Sequence, residues 1–585
     1  MGRNYLLAGS PGDPGPIQAA FVNFPQHLQF YARDSQDSAE IPIVGTLITD
    51  TPTLKYDTLS LDLRKGQALV ERVFIKLQWI DNHAGFSFRP KIHCELSEYG
   101  VNLSLRSGEN ILPIASRDSI VCGDAYIITG QSLSHPSDSR STYSNEFCRT
   151  LGIQNVNQNY GWYHAEDTLW GFGNGHGFGQ FYAGPYLVGV WGIRLQQLIR
   201  DNYKVPTCVL NGGAGGSNID DHIRNDSLRD DIRTIYGKLL YRTEKAGLTN
   251  KIKAIFWSQG VSDTYDSSIF SYPMKFGRLY NWWKEDYPGV AKVYVFQDRP
   301  SSCSGGMKYQ QELREFQRVT MDLFKDVEVM SLTGVQDFHG CHFGYDGYLQ
   351  MAEQIYNLLA RDFYGSSDTL MIQPADIVRA YYQNSMQNEI DLIFKNGTGI
   401  TYPLNSYGHS ILEAFYLSGK QIKPKAILIG QNNLRLEFDQ SLDAKKISYL
   451  PARSYEGFDS TTYQGPFFQN SRGIGMLSFH NFPIETVLTR SPLGVAQPGG
   501  ATLFQNYPNP FNSATVFSYY LPNESDVDLS IYDALGRLIS RVYHGKSRLG
   551  FSSFQWSTDQ LSSGVYLVKL RADNFSSSKK ILFVK

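Results

Sequence analysis

Between residues 118 and 365, short apolar segments alternate with stretches of helical periodicity. The apolar segments have the length of buried strands and lie at residues 124–129, 206–212, 253–260, 292–297 and 326–331. The clearest helical patterns lie around residues 226–247, 309–324 and 346–363. This alternation predicts a mainly parallel, doubly wound sheet with helices on both faces. In such a sheet, ligands bind beyond the carboxyl ends of the strands.

The flanking regions have a β-type pattern instead. Residues 1–117 contain alternating segments separated by turn clusters, which favours an antiparallel β-sandwich. A second β-rich domain is predicted at 366–490, a linker at 491–500 and a small β-sandwich at 501–585. With the α/β domain at 118–365, this makes four domains, as expected for a chain of 585 residues.

Composition excludes several classes of protein. The formal net charge is -2, from 54 basic and 56 acidic residues, so no electrostatic footprint for nucleic acid is present. No apolar run approaches the roughly 18 residues that a transmembrane helix requires. Six cysteines occur without a CxxC pair, which argues against a zinc site or a thioredoxin motif. We therefore expect neither a metal nor a cofactor.

The loops that follow the predicted strands carry residue types suited to acyl transfer. Ser132 follows the first strand, Gly215 and Gly216 the second, Gln259 the third, and His342 lies before the last helix. Taken singly, each has an ordinary structural explanation as a helix cap, a flexible turn or a surface histidine. Taken together, they supply a nucleophile, oxyanion donors and a general base. The order predicts acylation of Ser132, followed by hydrolysis of the acyl-enzyme by water.

An insert rich in glycine and aromatic residues, 161–191, precedes the next helix. One interpretation is a packed loop that covers the sheet. The other is a wall of the substrate site, in which Trp162 and Trp170 would stack on a sugar.

The blocks GQS, GGS, WSQG and CHF, in this order, resemble those of the SGNH hydrolases. The resemblance is closest to the sialate O-acetylesterase and acetylxylan esterase branch, whose blocks read GQSN, GGT, WxQGE and DxxH. It covers roughly residues 118–365, and the flanking β domains are also similar to those of such proteins. The resemblance implies a flavodoxin-like α/β fold and removal of acetyl groups from sugar hydroxyls without a metal. It also implies that Ser132 is the nucleophile and His342 the base, and that the N–H groups of Ser132 and of Gly215 or Gly216 form the oxyanion hole with Gln259.

Four positions depart from the family pattern, of which Ser217, in place of the threonine of GGT, is a mild change. Leu133 replaces the asparagine of GQSN, and Val261 replaces the glutamate of WxQGE. His339 stands where DxxH has its acid, and the nearest acid is Asp337, five residues before His342. Asp337 could orient His342 through a local bulge, or His342 could work in a dyad with backbone support. Alternatively, activity has been lost, because removing the orienting acid costs about 10⁴-fold in kcat in a serine hydrolase of the triad type.

The C-terminal segment contains NYPNPFN, a YDALGR turn, an SGVY strand and a basic end, and it resembles the sorting domain of the type IX secretion system. This resemblance implies contact with the secretion machinery and a secreted or cell-surface location. The N-terminus lacks the apolar segment of a signal peptide, which we interpret as an abbreviated sequence. Export would allow Cys303 and Cys341 to form a disulfide beside His342.

The sequence therefore predicts a secreted carbohydrate O-acetylesterase that uses Ser132 and His342. Two alternatives remain open: a non-catalytic glycan-binding protein on a degenerate esterase scaffold, and an esterase of the same fold that acts on other esters. The residues do not identify the sugar.

Overall fold

The structure is a computed structural model. It describes residues 5–7, 17–49, 56–153, 168–177, 185–301, 303, 307–402, 409–450, 463–485 and most of 501–584. Within these ranges, no helix combines the length and the apolar character that crossing a bilayer requires.

The described residues up to about 120 form mainly antiparallel sheets that enclose an apolar core of their own. In strand Tyr99–Ser107, for example, Val101, Leu103 and Leu105 all point into this core. The strands are β1 (Tyr5–Leu7), β2 (Ile17–Asn23), β3 (Phe30–Ala32), β4 (Ser38–Glu40), β5 (Ile43–Thr49), β6 (Thr58–Lys65), β7 (Ala68–Lys76), β8 (His83–Phe88), β9 (Lys91–His93), β10 (Tyr99–Ser107) and β11 (Asn110–Gly130). One sheet has the order β1–β2–β5–β8, and a second runs β11–β10–β6–β7.

Strand β11 connects the N-terminal domain to the central one. Its first half pairs antiparallel with β10, and its second half pairs with parallel strands of the central sheet. The domain boundary predicted at residues 117 and 118 therefore lies inside one continuous strand.

The central sheet contains six parallel strands and one antiparallel edge strand. After β11 come β12 (Cys148–Ile153), β13 (Thr168–Phe172), β14 (Thr207–Asn211), β15 (Ile252–Ser258), β16 (Lys292–Gln297) and β17 (Val327–Ser331). The order across the sheet is β13–β12–β14–β11–β15–β16–β17, with β13 antiparallel. The segment β14–β11–β15–β16–β17 has the 2-1-3-4-5 order of flavodoxin-like folds, whose ligands bind where the order reverses, beside the first strand.

In the described part of this domain, five α-helices cover the two faces of the sheet. They are α1 (Val190–Tyr203), α2 (Ile235–Lys245), α3 (Tyr272–Asp286), α4 (Gln310–Leu323) and α5 (Tyr345–Tyr364). Helices α1 and α5 pack on one face, and α2, α3 and α4 pack on the other. This three-layer arrangement confirms the predicted fold class.

Two helices differ from the sequence prediction. Helix α2 begins at Ile235 rather than near residue 226, because the hydroxyl of Thr234 caps it by accepting from Gly237 N at 3.0 Å. Helix α3 was not predicted, although Phe276, Leu279 and Trp283 recur at helical spacing and are buried.

The remaining strands form antiparallel sheets. They are β18 (Asp376–Tyr382), β19 (Glu389–Lys395), β20 (Phe415–Leu417), β21 (Ala426–Ile429), β22 (Asn433–Glu437), β23 (Lys446–Tyr449), β24 (Phe479–Pro483), β25 (Thr502–Leu503), β26 (Ala514–Leu521), β27 (Ser525–Tyr532), β28 (Leu538–Ser547), β29 (Gly550–Ser557), β30 (Gly564–Ala572) and β31 (Phe575–Phe583). Strands β18–β24 enclose one core and β25–β31 another. The linker predicted at 491–500 lies outside the described residues.

Candidate active site

Ser132 lies at the end of the first parallel strand, where the strand order of the sheet reverses. Strand β11 ends at Gly130, whose φ of +135° is a conformation that side chains rarely adopt. A Cβ atom there would lie 2.1 Å from Ser258 O, so the two strand ends approach closely because residue 130 is glycine. Ser132 then opens a one-turn helix, Ser132–Ser134, and its N–H has no acceptor within that helix.

His342 faces this serine from the loop before α5. Its Nε2 lies 2.8 Å from Ser132 Oγ, although the two residues are 210 positions apart in the chain. Ser132 is 6% exposed, and burial lowers the pKa of His342 below its usual 6.5. At neutral pH the imidazole is therefore neutral and able to accept the hydroxyl proton.

A tight turn and a disulfide shape the histidine loop. Phe338 and Phe343 form a β-bridge, and His339 N donates to His342 O at 2.8 Å. A disulfide joins Cys341 to Cys303, which lies in the loop after β16. The residue next to His342 is thus attached covalently to a neighbouring strand-end loop, which limits where the imidazole can move.

Asp337 contacts the other histidine of the loop. Its Oδ1 lies 2.9 Å from His339 Nε2, in a pair whose histidine side chain is 67% exposed. Its carboxylate also lies over Gly344, where a Cβ atom would come within 1.9 Å of Asp337 Oδ2. The proposed role of Asp337 in orienting His342 stays a prediction, and that role would have to compete with the contact to His339.

The glycine loop forms a turn close to Ser132. Ala214 N donates to Gly130 O at 2.9 Å, which attaches the turn to the end of β11. Ser217 closes the turn by donating from Oγ to Ala214 O at 2.7 Å. Gly215 and Gly216 lie exposed at its tip, and within the described part of the chain their N–H groups have no acceptor. Unengaged N–H groups beside a candidate nucleophile are what an oxyanion hole requires.

The side-chain amide of Gln259 points into the protein. Its Nε2 donates to Ser217 O at 3.1 Å and to Asp263 Oδ2 at 2.6 Å, and its Oε1 accepts from the hydroxyl of Tyr272 at 2.8 Å. Both N–H bonds of the amide are therefore used within the fold. A contribution of Gln259 to the oxyanion hole would require it to give up one of them.

The prediction that Trp170 contacts substrate is wrong. Trp170 is 5% exposed and belongs to the apolar core, with its ring centroid 6.5 Å from that of Phe30. Strand β13 directs its indole into the sheet–helix core, so neither ring face is open to a sugar. Trp162 lies outside the described residues.

Sequence reasoning missed two residues near the pair. Asp263 is buried and contacts Gln259. His135 lies one turn after Ser132, and its ring packs against Gly213. A Cβ atom at that glycine would come within 2.6 Å of the ring. Burial lowers the pKa of His135 to about 4, which keeps it neutral beside His342. The sequence shows both residues, in the blocks GQSLSH and WSQGVSD, but it does not show that they are buried.

The described residues contain no cluster of His, Cys, Asp and Glu that could hold a metal ion. The site brings together a serine hydroxyl and an imidazole, with backbone N–H donors nearby in the glycine loop.

Two family models match the chain. Residues 143–361 match "Carbohydrate esterase, sialic acid-specific acetylesterase", and residues 505–585 match "Secretion system C-terminal sorting domain". The first match includes Gly215, Gln259 and His342, whereas Ser132 lies just before it. Among curated proteins, no match is found.

A solved structure agrees with the fold. A carbohydrate acetylesterase from Xanthomonas citri aligns with 79% of this chain and 99% of its own, at 15% identity and a TM-score of 0.52. A β-glucuronidase from Parabacteroides merdae covers 96% of this chain and 78% of its own, at 7% identity, but its TM-score of 0.22 is too low to support an inference.

The fold and the family match define the central domain as a carbohydrate esterase. More specifically, residues 143–361 match the sialic acid-specific acetylesterase family, and the chain ends in a sorting domain of the type IX secretion system. That domain marks the protein for export across the outer membrane, to a secreted or cell-surface location. The resemblances stated from the sequence are thus confirmed.

Proposed function

We propose that this protein is a secreted serine esterase that removes O-acetyl groups from carbohydrates through an acyl-enzyme on Ser132. The observation that carries the proposal is the 2.8 Å contact between Ser132 Oγ and His342 Nε2 at the strand-order reversal of the sheet. A nucleophile and base within hydrogen-bond reach are the minimal requirement for covalent acyl transfer.

In the first half of the reaction, the imidazole carries its proton on Nδ1 and accepts the Ser132 hydroxyl proton at Nε2. Oγ attacks the acetyl carbonyl carbon and forms a tetrahedral oxyanion. The N–H of Ser132 and that of Gly215 or Gly216 would bind this oxyanion. Collapse of the intermediate breaks the bond to the sugar oxygen, and His342 returns its proton to that oxygen as the alcohol leaves.

In the second half, water replaces the sugar alcohol. His342 accepts a proton from the water, whose oxygen attacks the acetyl-serine carbonyl and regenerates the oxyanion. Collapse of this intermediate breaks the bond to Ser132 Oγ, and His342 returns its proton to Oγ. Acetic acid leaves and loses its own proton to solvent as acetate. The low pKa of His342 favours the neutral form that both halves need at their start.

Acetate release by the wild type and by Ser132→Ala tests the proposal. We expect the wild type to hydrolyse 4-nitrophenyl acetate and to release acetate from O-acetylated sugars. Ser132→Ala should lose at least about 10⁴-fold in kcat, because removing the nucleophile disables the whole catalytic unit.

Ser134→Ala is the matched control for this test. Ser134 is buried in the same one-turn helix, and its hydroxyl donates to Gln131 O at 2.6 Å. We expect this variant to keep its activity within about tenfold, since a single neutral hydrogen bond contributes only about 1 kcal/mol. A wild type that releases no acetate, but still binds acetylated glycans, would favour the non-catalytic glycan-binding alternative.

A panel of acetylated substrates would identify the sugar. The family name points to sialic acid, so acetylated sialic acid, acetylated xylan and a non-sugar acetyl ester are the informative members. Preference for the non-sugar ester would support the third alternative, an esterase acting on other esters.

A further inference from the structure

The loop after β15 contains a buried carboxylate that the reaction described above does not use. Asp263 is 5% exposed, and its carboxylate accepts hydrogen bonds from neighbouring N–H groups. Ile219 N donates to both of its oxygens at 3.1 Å, and Gln259 Nε2 donates to Oδ2 at 2.6 Å. One carboxylate thus binds two segments that lie far apart in the chain.

These two segments meet at the glycine turn. Ile219 follows the turn directly, two residues after Ser217. Gln259 holds the turn from the same side, because its Nε2 also donates to Ser217 O at 3.1 Å. Asp263 therefore fixes the end of the turn, both directly through Ile219 and indirectly through Gln259.

The tip of the turn has much weaker support. Its start is attached by Ala214 N to Gly130 O at 2.9 Å. Gly215 and Gly216 have no side chains to pack, and Gly216 has a φ of +72°. The position of their N–H groups relative to Ser132 therefore depends on the two ends of the turn.

We infer that Asp263 is a positioning residue for the oxyanion hole, and that Gln259 transmits this support instead of binding the oxyanion. The inference rests on the proposed function and assigns roles within the same site. Asp263 touches neither substrate nor Ser132. It acts by holding the Gly215–Gly216 N–H groups where charge develops on the carbonyl oxygen.

The ionisation of Asp263 should matter to this role. Burial raises the pKa of Asp263 to about 6, against the opposing effects of the Gln259 and Ile219 bonds and of Lys275. Asp220 raises it further, although Asp220 itself forms an ion pair with Lys275 at 2.6 Å. Tyr272 on α3 donates to Gln259 Oε1 at 2.8 Å, and His222 Nε2 lies 2.8 Å from Ser217 Oγ. Because the partners of Asp263 are N–H donors, a proton on the carboxylate would face a donor and break one of its bonds.

Asp263→Asn and Asp220→Asn form a matched pair for the test. Both remove one negative charge from the same region, but the Asp220 side chain is 53% exposed. In Asp263→Asn the new NH₂ group faces the donors that the carboxylate accepted. We expect Asp263→Asn to lower kcat for 4-nitrophenyl acetate by about 10- to 100-fold, less than the loss from deleting an oxyanion donor, with KM changed less than threefold. Asp220→Asn should stay within twofold of the wild type.

Two further measurements separate positioning from general destabilisation. Phosphorylation of Ser132 by diethyl 4-nitrophenyl phosphate also needs the oxyanion hole, so its rate should fall by the same factor as kcat. In a plot of log kcat/KM against pH, the acid limb of the wild type should have a slope greater than one, because both His342 and Asp263 must lose a proton. In Asp263→Asn the limb should have unit slope.

Each outcome has a clear meaning. If the wild type shows no Ser132-dependent hydrolysis, the proposed function fails. If the wild type is active but Asp263→Asn matches Asp220→Asn in kcat and phosphorylation rate, the positioning role is wrong and the esterase function stands. If Asp263→Asn does not fold, the pH profile of the wild type tests the inference. An acid limb with a slope of one would overturn it.

Discussion

Removal of the Cys303–Cys341 disulfide is expected to destabilise the central domain and weaken catalysis. The two cysteines are separated by 38 residues, so the bond closes a long loop. Chain entropy for a loop of that length gives about 4 kcal/mol of stabilisation relative to the reduced unfolded chain. The loop contains β17 and α4, which means that the bond constrains a large part of the sheet edge.

The noncovalent contacts of the loop should preserve part of its structure after reduction. Ser301 Oγ donates to Gly340 O at 2.9 Å, and His339 N donates to His342 O at 2.8 Å. We therefore expect the double variant Cys303→Ser/Cys341→Ser to fold, with a melting temperature lower by roughly 8–16 °C, from about 2–4 °C per kcal/mol for a domain of this size.

Tryptophan fluorescence during heating is the suitable assay, because Trp191, Trp257 and Trp283 are buried in the central domain. Adding a thiol reductant should lower the wild-type transition to that of the double variant. Cys94→Ser is the control, since Cys94 is not in a disulfide and its variant should respond to reductant as the wild type does. An unchanged transition in the double variant, with unchanged kcat, would refute the argument that this bond holds the histidine loop.

Two further predictions concern the protonation and orientation of His342. Because burial lowers the pKa of His342, we expect kcat/KM to be retained below pH 6.5 and to decline only at a more acidic pH. A pH–rate profile in which the decline is already centred at pH 7 or above would contradict this. Because Asp337 Oδ1 contacts His339 at 2.9 Å, we expect Asp337→Asn to lower kcat by less than about tenfold, whereas a loss near 10⁴-fold would identify Asp337 as the orienting acid. His339→Ala, which removes the partner of Asp337 without touching the carboxylate, is the matched variant.

The sequence predicted the features that depend on local pattern. The strands at 292–297 and 327–331 and the helices near 310 and 345 follow from apolar periodicity, and their order implied that Ser132 and His342 share one edge. Helix α3 was not predicted, although its buried residues recur at helical spacing. The domain boundary at 117 was placed in what is a continuous strand, because a change of pairing partner within β11 leaves no mark in its composition.

Side-chain directions could not be read from the sequence. Trp170 was predicted to bind sugar, but the face to which β13 directs it depends on the register of that strand with β12. Gln259 was predicted to face the oxyanion, but its neighbours Ser217 and Asp263 engage its amide. Both the burial of Trp170 and the engagement of the Gln259 amide depend on contacts between residues far apart in the chain, and an oxyanion role for Gln259 stays a prediction.

The histidine loop also has a support outside the central domain. Gln464 Nε2 donates to Phe338 O at 2.9 Å. The guanidinium of Arg299 lies 4.2 Å from the Phe338 ring centroid and donates to Tyr463 O at 2.7 Å. Gln297, at the end of β16, exchanges two hydrogen bonds with the backbone of Ser478. The smallest unit that could be expressed with an intact site therefore extends past residue 365 to at least residue 485. A fragment cut where the α/β pattern ends would keep Ser132 and His342 but would lose part of the framework that holds them together.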